Sequence, residues 1–157
     1  MLTRITHITH MARPKIIGSV IRSPFTRYLA NQPSDLFDIT NNLLSDDHRL
    51  IQTETRKFIE RYRPLAQQMF RTEDTAPARD IIRAMGSQGL LGVNIPGIYG
   101  GAGADYVTYG VIAREVEAID SGFRSMMSVQ SSLVMLPIAR FGASDTLKLK
   151  YLHKLAN

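Results

Sequence analysis

Ser125-Met126-Met127-Ser128-Val129-Gln130-Ser131-Ser132-Leu133-Val134-Met135-Leu136-Pro137-Ile138-Ala139 is a run of fifteen residues without a formal charge, flanked by Arg124 and Arg140. A bilayer span needs about 20 predominantly apolar residues. This run is shorter, and serine and glutamine occupy five of its positions. It reads instead as a helix apolar on nearly all sides, the buried middle helix of a bundle, bent near Pro137. A polar group left unpaired in such a helix costs about 1–3 kcal/mol. Ser125, Ser128, Gln130, Ser131 and Ser132 therefore each need a partner, ordinarily a backbone carbonyl or a neighbouring helix.

The flanking segments keep the helical period. Phe141-Gly142 ends the apolar helix, and Ser144 caps a last one with Leu147, Tyr151, Leu152 and Leu155 facing inward. Upstream, Asp105 caps a helix running to about Ile119. Ile112, Val116 and Ile119 form its buried stripe, with Arg114, Glu115 and Glu117 in water. Before it lies Leu91–Gly103, with five glycines in thirteen residues. Glycine-rich loops can cradle phosphates, but this one follows a helix rather than a strand and lacks a Lys-Ser/Thr pair, so its glycines are assigned to backbone turns. Pro77 starts a short helix that buries Ile81, Ile82 and Met85 and stops at Gly86 and Gly89. Ser45-Asp46-Asp47 opens the first helix, whose inward residues run from Ile51 through Phe58, Ile59 and Tyr62 to Met69, with a kink or early end at Pro64. Nowhere does a two-residue alternation signal a strand. The fold class expected is all-α, about five to six helices.

With 157 residues, 44% hydrophobic and 21% charged, the chain is one domain's worth of globular protein. The absence of cysteine excludes disulfides, thiolate metal sites and thiol nucleophiles. The net charge of +5 sits wholly in residues 1–34, where Arg4, Arg13, Lys15, Arg22 and Arg27 meet no acid. The remainder is balanced, so no nucleic-acid partner is expected. An acid-free, arginine-bearing start matches a mitochondrial transit peptide, with Arg27-Tyr28-Leu29-Ala30 resembling a matrix-protease site. A basic arm for an acidic partner is the alternative. The domain division is therefore residues 1–34 as a disordered leader and 35–157 as the helical domain. His7 and His10 lack further ligands nearby, and no metal is expected. No apolar stretch reaches transmembrane length.

Candidate chemistry centres on Arg124, whose guanidinium at the mouth of a buried helix needs an anion. Periodicity and charge favour Asp120, four residues earlier, over a ligand carboxylate. If Arg124 instead faces a pocket, Ser125, Val129 and Leu133 form an i, i+4, i+8 stripe beside it. That stripe would make a slot for a short acyl chain ending in a carboxylate. Ordinary core remains the competing reading for Val129 and Leu133.

Asp120-Ser121-Gly122-Phe123-Arg124-Ser125 and the residues through Met135 closely resemble the N-terminal helical domain of the acyl-CoA dehydrogenase family, in its glutaryl-CoA branch. Met85-Gly86, Gly89-Leu90-Leu91-Gly92, Tyr109 through Glu115 and Lys150-Tyr151-Leu152 match as well, so the resemblance covers about residues 37–157. It implies a helical domain that in the family precedes a β-domain and a C-terminal helical domain, usually in a homotetramer. The activity implied is FAD-dependent α,β-dehydrogenation in the mitochondrial matrix, with glutaryl-CoA losing carbon dioxide to give crotonyl-CoA in lysine and tryptophan breakdown, and with electron-transfer flavoprotein as partner. Arg124 and Ser125 match the pair that holds the distal carboxylate, and Val129 and Leu133 match acyl-pocket wall positions. Phe123 stands where tyrosine is usual, Met126 where a small residue is usual and Leu136 where histidine is usual. Met126 is expected to add bulk beside the carboxylate pair. The catalytic glutamate and most flavin contacts belong to the family's other domains, so the chain alone is expected to be inactive. The alternative is a non-catalytic module that associates with full-length dehydrogenase subunits.

Overall fold

The computed structural model describes residues 43–157. The basic leader, its cleavage site, the two leader histidines and the boundary at residue 34 lie outside the described residues. Within them the chain is helical, without a strand. The elements are α1 (Asp46–Glu60), α2 (Arg63–Thr72), α3 (Ala78–Ser87), a 3-10 turn (Gly97–Tyr99), α4 (Tyr106–Glu117), α5 (Ser121–Ser128), a π-helical segment (Val129–Met135), α6 (Leu136–Phe141) and α7 (Asp145–Leu155). α5, the π segment and α6 run on without interruption, so the described residues form six helical rods.

Local chemistry sets the boundaries. Ser45 accepts from the His48 amide at 3.2 Å while the His48 ring accepts from the Ser45 amide, a reciprocal cap on α1. Asp105, Asp120 and Ser144 cap α4, α5 and α7 one way, each side chain accepting from the amide three residues on. The expected first helix is divided at Arg61–Tyr62, and Pro64 sits in the first turn of α2, where its missing N–H costs nothing.

α4 lies between α1 and α5, α3 packs against α5, and α7 folds back against α6, the π segment and the 3-10 turn. The main core joins Ile59, Ile81, Met85, Leu90, Ile112, Val116 and Met127, and a smaller one gathers Ile95, Met135, Leu152 and Ala156. The glycine-rich loop seals the gap between the two. A Cβ on Gly101 would strike the carbonyl oxygens of Ile95 and Gly92, and Gly92 itself has φ +64° under the Met135 side chain. Backbone packing thus accounts for these two glycines.

Three expectations are corrected. Glu115 is not wet: it is buried between α4 and α1, where Arg56 clasps it through two N–H groups at 2.7 and 3.0 Å and Gln52 donates at 2.7 Å. Leu147 and Tyr151 are exposed, because α7 is covered on the side of Leu152, Leu155 and Ala156. The apolar middle helix is buried on one side. Met127, Ser131 and Met135 face the interior at four-residue steps, whereas Val129, Leu133 and Phe141 are exposed because no described element covers their side. Just before Pro137 the rod is π-helical over Val129–Met135. Pro137 has no N–H to offer the carbonyl one turn back, and the helix widens ahead of it.

Candidate functional site

Arg124 stands near the start of the α5 rod, half-buried, because the Asp120 cap fixes where the helix begins. Its partner is not Asp120. The Asp120 carboxylate is committed to the Phe123 amide at 3.0 Å, and Arg124 Nε instead donates to Glu117 Oε2 at 2.6 Å across the α4–α5 corner. Ser121 donates to the other Glu117 oxygen at 2.6 Å. These two hydrogen bonds, Ser121 first and Arg124 second, hold the Glu117 carboxyl below the usual glutamate range. Glu117 is thus anionic at neutral pH and orients the guanidinium through Nε, which leaves the outer Nη groups to face elsewhere.

Nη1 points along the rod to Ser128 Oγ at 3.4 Å. Tyr109 donates its hydroxyl proton to Ser128 at 3.0 Å and accepts from Ser132 at 3.1 Å. A polar strip of Arg124, Ser128 and Ser132 therefore runs along one line of the helix, pinned to α4 by Tyr109. Ser125, Val129 and Leu133 follow the next line, with Ser125 half-buried and the other two 48% and 69% exposed. The four residues expected from the sequence thus share one rod, and the charged head lies on the strip adjacent to the apolar one. Such a surface presents hydrogen-bond donors at one end and aliphatic wall along its length.

Met126 takes a different direction from the one expected. It lines a groove with Phe123 and the side chains of α2 and α3. Ser131 and Gln130 are structural, as expected of polar groups in an apolar helix: the Ser131 hydroxyl accepts from the buried Gly92 amide at 3.0 Å, and Gln130 donates to the Leu155 carbonyl at 2.7 Å.

Residues 45–157 match the family model described as Acyl-CoA dehydrogenase, N-terminal domain. The chain belongs to the acyl-CoA dehydrogenase family. Members of this family are FAD-dependent oxidoreductases. The chain is 35% identical over 99 residues to an acyl-CoA dehydrogenase of Bacillus subtilis, an alignment covering 56% of the chain and 26% of the relative. It is 33% identical over 103 residues to the human mitochondrial short-chain specific acyl-CoA dehydrogenase, covering 65% and 24%. It therefore spans about a quarter of these relatives. Among solved structures, a glutaryl-CoA dehydrogenase from Mycobacterium smegmatis in complex with FADH2 superposes with a TM-score of 0.69 at 38% identity, covering 76% of this chain and 30% of that one.

Membership of the acyl-CoA dehydrogenase family raises the question of where a flavin would fit. The glycine-rich loop is the segment best suited to a pyrophosphate, but it spends its amides inward. Gly92 N–H bonds Ser131, and the amides of Ala102, Gly103 and Ala104 bond the carbonyls of Gly92, Ile95 and Val93. These four amides are therefore not free to hold a pyrophosphate.

Glu117, Ser128 and Tyr109 were missed as site residues. Glu117 precedes Arg124 by seven residues across a helix break, a spacing that no single-helix rule reads. Tyr109 carried one usable signal, a hydroxyl in a mostly apolar helix that needs a partner when half-buried.

Proposed function

We propose that the chain is the N-terminal portion of a mitochondrial glutaryl-CoA dehydrogenase, supplying the acyl-pocket wall and the clamp for the distal carboxylate. The observation that carries this reading is Arg124. Its guanidinium is oriented through Nε by Glu117 at 2.6 Å and stands beside a strip of uncovered aliphatic side chains. An orienting bond through Nε leaves the Nη groups for a carboxylate, the two-pronged geometry that arginine favours. Val129 and Leu133 would flank the acyl chain, and Ser125 and Ser128 would add hydroxyls near its charged end. The acid-free leader and the mitochondrial relative support matrix localisation. The neighbouring glutaryl-CoA dehydrogenase structure, at 38% identity, supports the branch.

In this reading the FAD-dependent oxidation and decarboxylation of glutaryl-CoA to crotonyl-CoA depends on domains that follow in the family. This chain binds and orients one end of the substrate. The glutarate carboxylate exchanges its water for the Arg124 donors, and the aliphatic strip excludes water from the chain between carboxylate and thioester. Electron-transfer flavoprotein and a homotetrameric assembly belong to the proposal for the whole enzyme.

The test is a chimera joining this chain to the β-domain and C-terminal domain of the M. smegmatis enzyme, assayed with glutaryl-CoA and butyryl-CoA. Arg124→Ala is expected to lower kcat/KM for glutaryl-CoA by about 2–4 kcal/mol, as for an unpaired buried charge, and to spare butyryl-CoA. Equal loss on both thioesters would defeat the carboxylate role.

A further inference from the structure

A concavity separate from the Arg124 strip lies between α2, α3 and the first turn of α5. It is an open groove of about 630 Å³, and Ala66, Met69, Ile82, Phe123 and Met126 give it an apolar floor. That volume falls within the roughly 300–1,000 Å³ of small-molecule pockets. A second hollow of about 320 Å³ continues it past Phe70, whose ring is 85% exposed between the two, and reaches Arg71. The charges along this groove are unequal. Arg71, Arg79 and Arg83 line it against a single aspartate, Asp120, whose carboxylate already caps α5. Arg83 reaches Asp80 only at 3.6 Å, and Arg71 and Arg79 form no ion pair with a described residue.

An apolar floor rewards a hydrocarbon tail, and arginines at the rim reward a carboxylate head. A cationic head on the same tail would meet like charge. We propose that this groove binds a free anionic amphiphile, an unbranched medium-chain carboxylate, with the tail over Ala66, Ile82 and Phe123 and the head on Arg79 and Arg83. The groove shares no residue with the Arg124 clamp, so the two proposals stand or fall separately.

The experiment titrates the full 157-residue chain, uniformly labelled with nitrogen-15, with decanoate below its micelle threshold and, in parallel, with decyltrimethylammonium. Saturable shifts of the Ala66, Ala78, Ile82 and Phe123 amides are expected with decanoate, at an affinity at least ten-fold above that of the cationic probe. Arg79→Gln with Arg83→Gln should weaken decanoate at least ten-fold and, by removing the like charge at the rim, tighten the cationic probe. Ala78→Phe, which puts a ring into the groove, should abolish both. The arginine variant is at the exposed rim and keeps the test decisive should Ala78→Phe disturb the fold. Three results overturn the proposal: no saturable shift, equal affinity for the two heads, or shifts confined to Val129 and Leu133.

Discussion

The α1–α4 seam and the outer face of the α5 rod are both lined by regularly spaced residues, yet one is closed and the other open. At the seam a carboxylate, Glu115, is 3% exposed and fully partnered by Arg56 and Gln52. On the rod an aliphatic residue, Leu133, is 69% exposed. Residue type alone would assign each to the other's place. What decides is coverage: α1 lies over Glu115, and no described element lies over Leu133. A charge is buried where its partners come with the covering helix, and an apolar strip stays exposed where no described element lies over it.

The largest effect should come from breaking the closed region. Arg56→Ala leaves the Glu115 carboxylate buried with Gln52 alone, and a buried charge stripped of its partner costs about 3–5 kcal/mol. Glu115→Ala should cost less, because the Arg56 side chain is 53% exposed and can rehydrate. The hydrogen bonds that Arg56 donates to Glu115 also hold the Arg56 proton more firmly than usual, so the guanidinium stays charged. Urea unfolding of both variants measures the difference. Equal losses would mean that Glu115 is no more desolvated than Arg56.

The sequence carried the closed region's helices better than its contacts. Ser45, Asp105 and Ser144 are legible as caps because the capping bond is made within three residues. The Ile112–Val116 stripe is legible because a helix repeats. The burial of Glu115 is not, since it depends on where a helix sixty residues away comes to lie. Glu117 as the anchor of Arg124 has the same cause, with a chain reversal at Ala118–Asp120 between the partners. The candidate site residues were legible as a run on one helix. Their exposure was not, because fifteen uncharged residues look alike whether a neighbour covers one side or both.

A smaller effect is expected where the rod meets the glycine-rich loop. Ser131→Ala removes the acceptor of the buried Gly92 amide, at about 1–3 kcal/mol for a stranded donor. Amide hydrogen exchange at Gly92 should accelerate together with a lower melting temperature. An unchanged Gly92 rate would mean that another acceptor, such as water, reaches that amide.

Acid should distinguish the capped seam more gently. Hydrogen bonding to Thr108, with His48 adding to it, depresses the Asp105 carboxyl below the ordinary aspartate value. A carboxyl depressed in the folded state stabilises above its unfolded value, near pH 3.9, and that contribution fades as pH falls through the lower folded value. Asp105→Asn keeps the cap geometry and removes the titration. Its melting temperature should therefore trail the parent's at pH 6 and converge on it below about pH 4. A constant gap down to acid would assign the difference to packing.

The smallest effect belongs to the open face. Leu133→Ser removes an apolar side chain that touches little, and a surface change of this kind shifts stability by no more than about 0.5 kcal/mol. The same change should alter association. An exposed strip of Val129, Leu133 and Phe141 favours self-contact between chains at high concentration, and a serine at its most exposed aliphatic position among the three rod residues 126, 129 and 133 weakens that contact. Sedimentation at several concentrations should show less self-association for Leu133→Ser at an unchanged melting temperature. A large loss of stability instead would mean that Leu133 is covered in solution, and the contrast between the closed seam and the open rod would then disappear.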